Sequence, residues 1–189
     1  MRLKLLTQQA AAGDIALLYL DESEALTHPY LACCWACQGV DLRIQAPGQA
    51  RRRAVLGAWD PVARRLLVHT SATKRSTDFI ALLDIIATAY GTTERSRPLV
   101  VVLDNGPIHT SKITATALAD RPWLTVEWLP RYAPELNDIE RRWRDLKQHH
   151  LANRTFSDAD DLERSIHEAV DNLNRERKPD PSAALMAAA

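Results

Sequence analysis

The sequence lacks any long apolar run that would place it in a membrane. In its 189 residues, no stretch reaches the roughly 18 consecutive apolar residues that a membrane-spanning helix requires. The apolar part of Met1–Leu6 is too short for a secretory signal. Apolar residues make up 46% of the chain and charged residues 25%, as in ordinary globular domains. We therefore expect one folded domain in the cytoplasm, with no membrane partner.

Cysteine is scarce, and the three cysteines that occur lie within five residues of one another. They are Cys33, Cys34 and Cys37. An odd, crowded set is a poor disulfide framework, and no second Cys or His pair has the spacing of a zinc site. A metal site at these cysteines is the minor alternative. We expect buried or half-buried thiols on a strand, Leu31–Trp35.

Net charge is also absent, because 24 basic residues balance 24 acidic ones. The charges are nevertheless unevenly distributed: basic residues dominate positions 43–75 and 141–147, whereas positions 157–176 are rich in acids. Such an asymmetry presents a basic face to phosphate groups, although solvated surface charge is the alternative explanation for each cluster. The candidate DNA-binding residues are Arg51, Arg52, Arg53, Lys74, Arg75, Arg141, Arg144 and Lys147.

Apolar periodicity predicts mainly strands early in the chain and alternating strands and helices later. The predicted strands are Ile15–Leu20, Leu31–Trp35, Ala54–Trp59, Leu66–Thr70, Leu99–Leu103 and Thr125–Leu129. The predicted helices are Thr77–Tyr90, Ser111–Ala119, one that begins near Leu136, and Asp158–Asn174. This order is typical of an α/β domain with a mixed sheet, antiparallel first and parallel later. The five tryptophans are expected in the core, and stacking on nucleic-acid bases is the alternative role for them.

The predicted domain occupies residues 14–176. An N-terminal extension at 1–13 precedes it, and a flexible C-terminal tail at 177–189 follows it.

Two aspartates follow strongly apolar predicted strands, and a glutamate lies near the start of a predicted helix. Asp21 follows the first strand and Asp104 follows the unbroken run Leu99–Leu103. If these strands are parallel neighbours, both carboxylates emerge at the sheet edge where α/β proteins bind ligands. Glu140 would project from its helix towards that edge. Together the three acids could hold two Mg²⁺ or Mn²⁺ ions for phosphodiester chemistry.

Each of these acids alone has a simpler explanation. An aspartate after a strand is often a turn residue or a helix cap. Glu140 could pair with Arg144 four residues later on the surface of its helix. The combination of the three, in this order, is what favours a metal site.

At these residues the sequence resembles the catalytic domain of the mariner superfamily of transposases, and most closely its bacterial insertion-sequence members. The matching segments are Tyr19–Ser23, Val102–Ser111 and Leu129–Trp143, followed by Leu146 and Lys147. Between Asp104 and Glu140 lie 35 residues, similar to the spacing in that family. The resemblance spans roughly Asp14 to Asn174.

This resemblance implies a ribonuclease-H-like fold, with a central mixed five-stranded sheet flanked by helices. It implies that Asp21, Asp104 and Glu140 are catalytic and bind two Mg²⁺ ions, for which Mn²⁺ can substitute. Asn105, His109 and Asn137 would support them, although helix capping explains Asn105 and His109 equally well. The implied activity is cleavage of transposon-end DNA and transfer of the freed 3′-hydroxyl into target DNA.

The partners and location follow from the same resemblance. Double-stranded DNA, as transposon ends and as target, is the expected partner, together with a second copy of the chain. Family members carry an N-terminal helix-turn-helix region, for which this chain has no room, so a separate helix-turn-helix polypeptide is a further expected partner. The expected location is the bacterial cytoplasm, in association with the nucleoid.

The sequence departs from the family pattern at two positions close to Glu140. Ala133 replaces the usual Ser, and Asp138 replaces the usual Pro. Neither change removes a metal ligand. Two alternatives stay open: a truncated or domesticated relic that binds DNA without transposition, and a nuclease acting on RNA–DNA hybrids.

Overall fold

The computed structural model of the chain describes residues 2–45, 48–91, 97–131 and 133–176. The predicted C-terminal tail, 177–189, lies outside the described residues. No helix in the described ranges is both long enough and apolar enough to cross a membrane.

A five-stranded mixed sheet forms the centre of the molecule, as predicted. Its strands are β1 (Ala16–Leu26), β2 (Arg52–Asp60), β3 (Arg65–Ser71), β4 (Leu99–Leu103) and β5 (Leu124–Trp128). The spatial order is β3-β2-β1-β4-β5. The first three strands pair antiparallel, whereas β1, β4 and β5 pair parallel. The parallel strands therefore end at one edge of the sheet.

Helices cover both faces of this sheet. They are α1 (Arg2–Ala12), α2 (Ser76–Tyr90), α3 (Pro107–Thr110), α4 (Lys112–Ala119), α5 (Glu140–Asp145) and α6 (Ala159–Glu176). A 3₁₀ turn (Pro134–Leu136) precedes α5, and a π-helical turn (Leu146–His150) continues it. The predicted N-terminal extension thus contains a helix, whose Ala10 is buried in the core.

Two apolar cores lie on opposite faces of the sheet, because alternate strand residues point to opposite sides. Val100 and Val102 belong to the core beneath α6, and Val101 and Leu103 belong to the core beneath α2. The unbroken apolar run of β4 is therefore buried on both faces, as expected of a parallel strand covered by helices on each side. The apolar residues of α6 recur at helical spacing and are all buried: Leu162, Ile166, Ala169, Val170 and Leu173.

The predicted strand Leu31–Trp35 is wrong. Among the described residues it pairs with no strand, and the three cysteines are exposed rather than buried on a strand. The physical reason is that β1, the strand that precedes this segment, lies inside the sheet between β2 and β4 and has no free edge to pair with it. The segment is anchored instead by Asn153. The side chain of Asn153 accepts a hydrogen bond from the backbone N–H of Ala32 and donates one to its carbonyl, each at 3.0 Å.

The prediction that all five tryptophans lie in the core is partly wrong. Trp59 and Trp143 are buried, and Trp123 is half-buried. Trp35 is fully exposed on the segment after β1, and Trp128 is 40% exposed at the end of β5. Trp35 lies outside the sheet, between β1 and β2, and Trp128 is the last residue of the edge strand β5, so neither core covers these rings.

Candidate metal and DNA site

The pairing of β1 with β4 places the two candidate aspartates at the same level of the sheet. The parallel register runs from Ala16 opposite Leu99 to Tyr19 opposite Val102. Extending this register puts Asp21 opposite Asp104. The prediction that Asp21 follows the end of its strand is wrong. Asp21 lies inside β1, because this strand continues to Leu26 through antiparallel pairing with β2.

Glu140 reaches this edge through a loop that is fastened to β1. The helix predicted near Leu136 begins instead at Glu140, because Asn137 is extended (φ −93°, ψ 101°) and interrupts the helical turns. The buried Asn137 donates its side-chain N–H to the carbonyl of Leu20, at 2.9 Å. Glu140, the first residue of α5, is exposed. The helix start is therefore set by a contact with the residue that precedes Asp21.

The three candidate acids line one open cleft at this sheet edge. The cleft has a volume of about 410 Å³ and is also lined by two predicted supporting residues, Asn105 and Asn137. Asn105 donates to the carbonyl of Leu129 at 2.7 Å, which ties the end of β4 to the end of β5. The remaining lining residues are Gly106, Leu129, Pro130, Arg131, Ala133 and Pro134.

His109 lies behind Asp104 rather than in the cleft, and it is only 2% exposed. Its Nδ1 is 2.7 Å from Asp104 Oδ1, and its Nε2 makes an ion-pair contact of 2.7 Å with Glu22 Oε1. The backbone N–H of Gly106 also donates to Asp104 Oδ1, at 2.9 Å. Burial alone would lower the pKa of His109, but the two carboxylates outweigh it and raise that pKa. His109 therefore orients Asp104 from behind.

Asp21 is contacted from the face of the sheet opposite to the one on which His109 lies. Its Oδ2 accepts a hydrogen bond of 3.1 Å from the indole N–H of Trp143. Burial, followed by the nearby charges of Glu22 and Glu140, raises the pKa of Asp21 to about 7. An acid in such a setting is tolerated in its charged form when a cation lies beside it.

The donor set of the cleft fits a hard divalent cation. Oxygen atoms of Asp21, Asp104 and Glu140 suit Mg²⁺ or Mn²⁺ better than zinc. Within the part of the chain that the structure describes, no three acidic, His or Cys side chains converge on one metal position. Asp21 and Asp104 are bonded to Trp143 and His109 instead.

The predicted DNA-binding residues of the first basic cluster divide into exposed and engaged side chains. Arg51 and Arg75 are exposed. Arg53 is only 18% exposed and binds two acids of α6, Asp160 at 2.7 Å and Glu163 at 2.9 Å. Arg53 thus fastens β2 to α6. Two others are ion-paired to Glu24 on β1: Arg52 at 3.8 Å and Lys74 at 3.3 Å.

The second basic cluster lies on the helix that carries Glu140. Arg141 and Arg144 are exposed, and Arg141 is 4.0 Å from Asp138. Lys147 is half-buried over the ring of Tyr30, and its pKa is lowered, chiefly by burial. In the described part of the chain, none of the eight predicted basic residues lines the cleft.

Four residues that contact the site were missed by sequence reasoning. Arg131 lines the cleft, and its position inside the segment Leu129–Trp143 was the available signal. Glu22 was adjacent to Asp21, but strand alternation places it on the opposite face, against His109. Trp143 was assigned to the core alone, and Gly57 carried no sequence signal because its neighbours are set by the fold.

Comparison with known proteins agrees with this architecture. A chain of Shigella sonnei described as insertion element IS630 uncharacterized 39 kDa protein is 27% identical over 135 residues. That alignment covers 71% of this chain and 38% of the relative, so the chain spans about two fifths of the relative's length.

Solved structures share the fold at low sequence identity. The Mos1 transposase paired-end complex with left transposon end matches with a TM-score of 0.61 and 14% identity, over 90% of this chain and 56% of that one. The catalytic core domain of BIV integrase matches with a TM-score of 0.56 and 16% identity, over 87% of each chain. The fold is therefore the ribonuclease-H-like fold of transposase and integrase catalytic cores.

A model of the DDE superfamily endonuclease family matches residues 16–163. This match contains the sheet, the cleft and all three acids that line it. The chain belongs to the DDE superfamily endonuclease family.

Proposed function

We propose that this chain is the catalytic domain of a DNA transposase. It cleaves phosphodiesters at transposon ends and transfers the freed 3′-hydroxyl into target DNA. The observation that carries the proposal is that Asp21, Asp104 and Glu140, from β1, β4 and α5, line one cleft. Family membership supplies the reaction class, and the insertion-element relative supports transposition as its context.

The proposed cofactor is a pair of Mg²⁺ ions, for which Mn²⁺ can substitute. Mos1 paired-end complexes have been solved with Mn and with Mg, which supports a divalent cation here. When bound, such ions activate the attacking water or 3′-hydroxyl and stabilise the leaving oxygen. Asp21, Asp104 and Glu140 would hold them. The raised pKa of Asp21 is consistent with a pocket built to receive positive charge.

The chain's own residues hold these acids in place. His109 and the Gly106 N–H both bond Asp104 Oδ1, so Oδ2 is the oxygen that these contacts leave for a ligand role. Asn105 and Asn137 tie the cleft walls to backbone carbonyls. These bonds support Asn105, His109 and Asn137 as residues that orient the site rather than react.

Duplex DNA would approach over the exposed arginines. Arg51, Arg75, Arg141 and Arg144 are exposed and suit contacts with phosphate groups, which position DNA without reading its sequence. Arg131, within the cleft, suits the phosphate nearest the reaction. The proposal also includes a second copy of the chain, a separate helix-turn-helix polypeptide that recognises the ends, and a nucleoid location in the bacterial cytoplasm.

The test is metal-dependent cleavage by matched variants. The purified chain is incubated with supercoiled plasmid, and with pre-cut duplex oligonucleotides from repeats flanking its gene, in Mg²⁺, Mn²⁺ or EDTA. Glu140→Gln should reduce nicking and joining by more than about 100-fold. Loss of a residue that orients a metal ligand already lowers activity about 10- to 100-fold, and loss of the ligand itself should lower it at least as much. Glu135→Gln is the matched control, because Glu135 is exposed in the same segment and outside the cleft. Absence of nicking and joining by the unaltered chain in both metals would refute the proposal.

A further inference from the structure

The indole of Trp143 joins the helix of Glu140 to the strand of Asp21. Trp143 is 3% exposed and donates its N–H to Asp21 Oδ2 at 3.1 Å. A buried indole N–H needs an acceptor, and for Trp143 that acceptor is a carboxylate that lines the cleft. The bond occupies one oxygen of Asp21 and fixes the plane of its carboxylate.

A glycine makes this approach feasible. Gly57 on β2 is the direct pairing partner of Asp21. A Cβ added at Gly57 would lie 2.8 Å from Trp143 Cζ2 and 3.1 Å from Ile139 Cδ1. The missing side chain therefore leaves the space through which the indole crosses β2 to reach Asp21.

The same helix start is fastened to β1 at two points, one on each side of Glu140. Asn137 bonds the carbonyl of Leu20, and Trp143 bonds the side chain of Asp21. Glu140 lies three residues from each of these anchors. The distance between Glu140 and Asp21 is thus governed by two hydrogen bonds to consecutive residues of one strand.

We propose that Trp143 is a positioning residue of the metal site, which orients Asp21 directly and Glu140 through α5, with Gly57 providing its path. The inference rests on the proposed metal-binding function of these acids. A group that orients a ligand determines metal affinity without touching the metal, and loss of such a partner lowers metal affinity or activity about 10- to 100-fold.

Trp143→Phe removes the N–H donor and keeps most of the buried ring. We expect it to weaken Mn²⁺ binding, measured from the free Mn²⁺ signal in electron paramagnetic resonance, by about 10-fold. The matched control is Trp59→Phe. Trp59 is 4% exposed in the same core and donates its N–H to Asp138 at 3.0 Å, outside the cleft. The Trp59→Phe variant should bind Mn²⁺ with an affinity within about 2-fold of that of the unaltered chain, because Trp59 orients no metal ligand.

Gly57→Ala tests the space that the indole of Trp143 occupies beside β2, rather than the N–H group that it donates. It retains the indole and adds one methyl group where Trp143 and Ile139 pass. We expect displaced indole packing and weaker Mn²⁺ binding in a chain that still contains all five tryptophans. Thermal unfolding of each variant in EDTA separates a loss of metal affinity from a loss of folded protein.

A spectroscopic readout of the unaltered chain keeps the test independent of variant stability. In ¹⁵N-labelled protein, the indole N–H resonance of Trp143 should move during Mg²⁺ titration, while that of Trp59 stays fixed. Wild-type Mn²⁺ affinity in Trp143→Phe, with an unmoved Trp143 resonance, would overturn the inference while leaving the proposed function intact. If the unaltered chain binds no Mn²⁺ and cleaves no DNA, the proposed function fails and the inference fails with it.

Discussion

Replacing Asp21 by Asn should stabilise the metal-free protein, although it should abolish activity. The structure holds the Asp21 carboxyl in a largely buried position, close to the charges of Glu22 and Glu140, and these effects raise its pKa to about 7. In the unfolded chain the pKa of an aspartate is near 3.8. At pH 8 the folded protein therefore carries a charge that its surroundings disfavour.

The magnitude follows from the size of this shift. A change of about 3 pKa units corresponds to about 4 kcal/mol at 1.36 kcal/mol per unit. Asn retains an oxygen that accepts from Trp143 Nε1, but its amide N–H groups need acceptors, at a cost of about 1–3 kcal/mol. We expect a net gain of about 2 kcal/mol, or about 4–8 °C in unfolding temperature for a domain of this size.

The assay is thermal unfolding followed by circular dichroism in EDTA between pH 8 and pH 4. Because the folded pKa of this acid is raised, its charge destabilises the fold above pH 7. That destabilisation shrinks as the pH falls from about 7 towards 3.8, so the advantage of Asp21→Asn should shrink over the same range. Added Mg²⁺ should raise the unfolding temperature of the unaltered chain and not that of the variant.

Two results would refute this reasoning. Asp21→Asn could be no more stable than the unaltered chain at pH 8, which would mean that the carboxylate is not electrostatically strained. Alternatively, the variant could be more stable by the same amount at pH 8 and pH 4, which would mean that the gain does not come from the Asp21 charge. Glu135→Gln, at an exposed position of the loop, is the control for a general effect of removing one acid.

The remaining predictions compare two neighbouring arginines, Arg51 and Arg53, and test the two hydrogen bonds of Asn174. Arg51→Gln should weaken binding to all duplex sequences and flatten its salt dependence, because Arg51 is exposed, while unfolding temperature stays unchanged. Arg53→Gln should instead destabilise the fold by about 1 kcal/mol, because it loses two carboxylate partners on α6; equal stability of the two variants would contradict this contrast. Asn174→Ala should cost about 1–3 kcal/mol in urea unfolding, because the backbone N–H and C=O of Leu66 lose partners at 2.7 and 2.9 Å. An unchanged urea midpoint would show that water replaces both bonds.

Local pattern was sufficient wherever burial alone decides the structure. The unbroken apolar run Leu99–Leu103 could only be stable between two covering layers, and it lies between them. The spacing of apolar residues in α6 determined its inward face. The apolar segment Leu31–Trp35 failed as a strand because a strand also needs an open partner, and sequence pattern does not reveal which sheet edges are taken.

By itself, the sequence determined the fold class, the mixed sheet and the three acids that line the cleft at its edge, because apolar runs and the polar residues that follow them are local features. Only the tertiary structure decided which groups surround those acids. His109 behind Asp104, Trp143 beside Asp21 and the use of Arg53 as a brace between β2 and α6 all join residues distant in the chain. Those contacts depend on strand register, because a shift of one residue would put the strand residues Asp21 and Arg53 on the opposite face of the sheet.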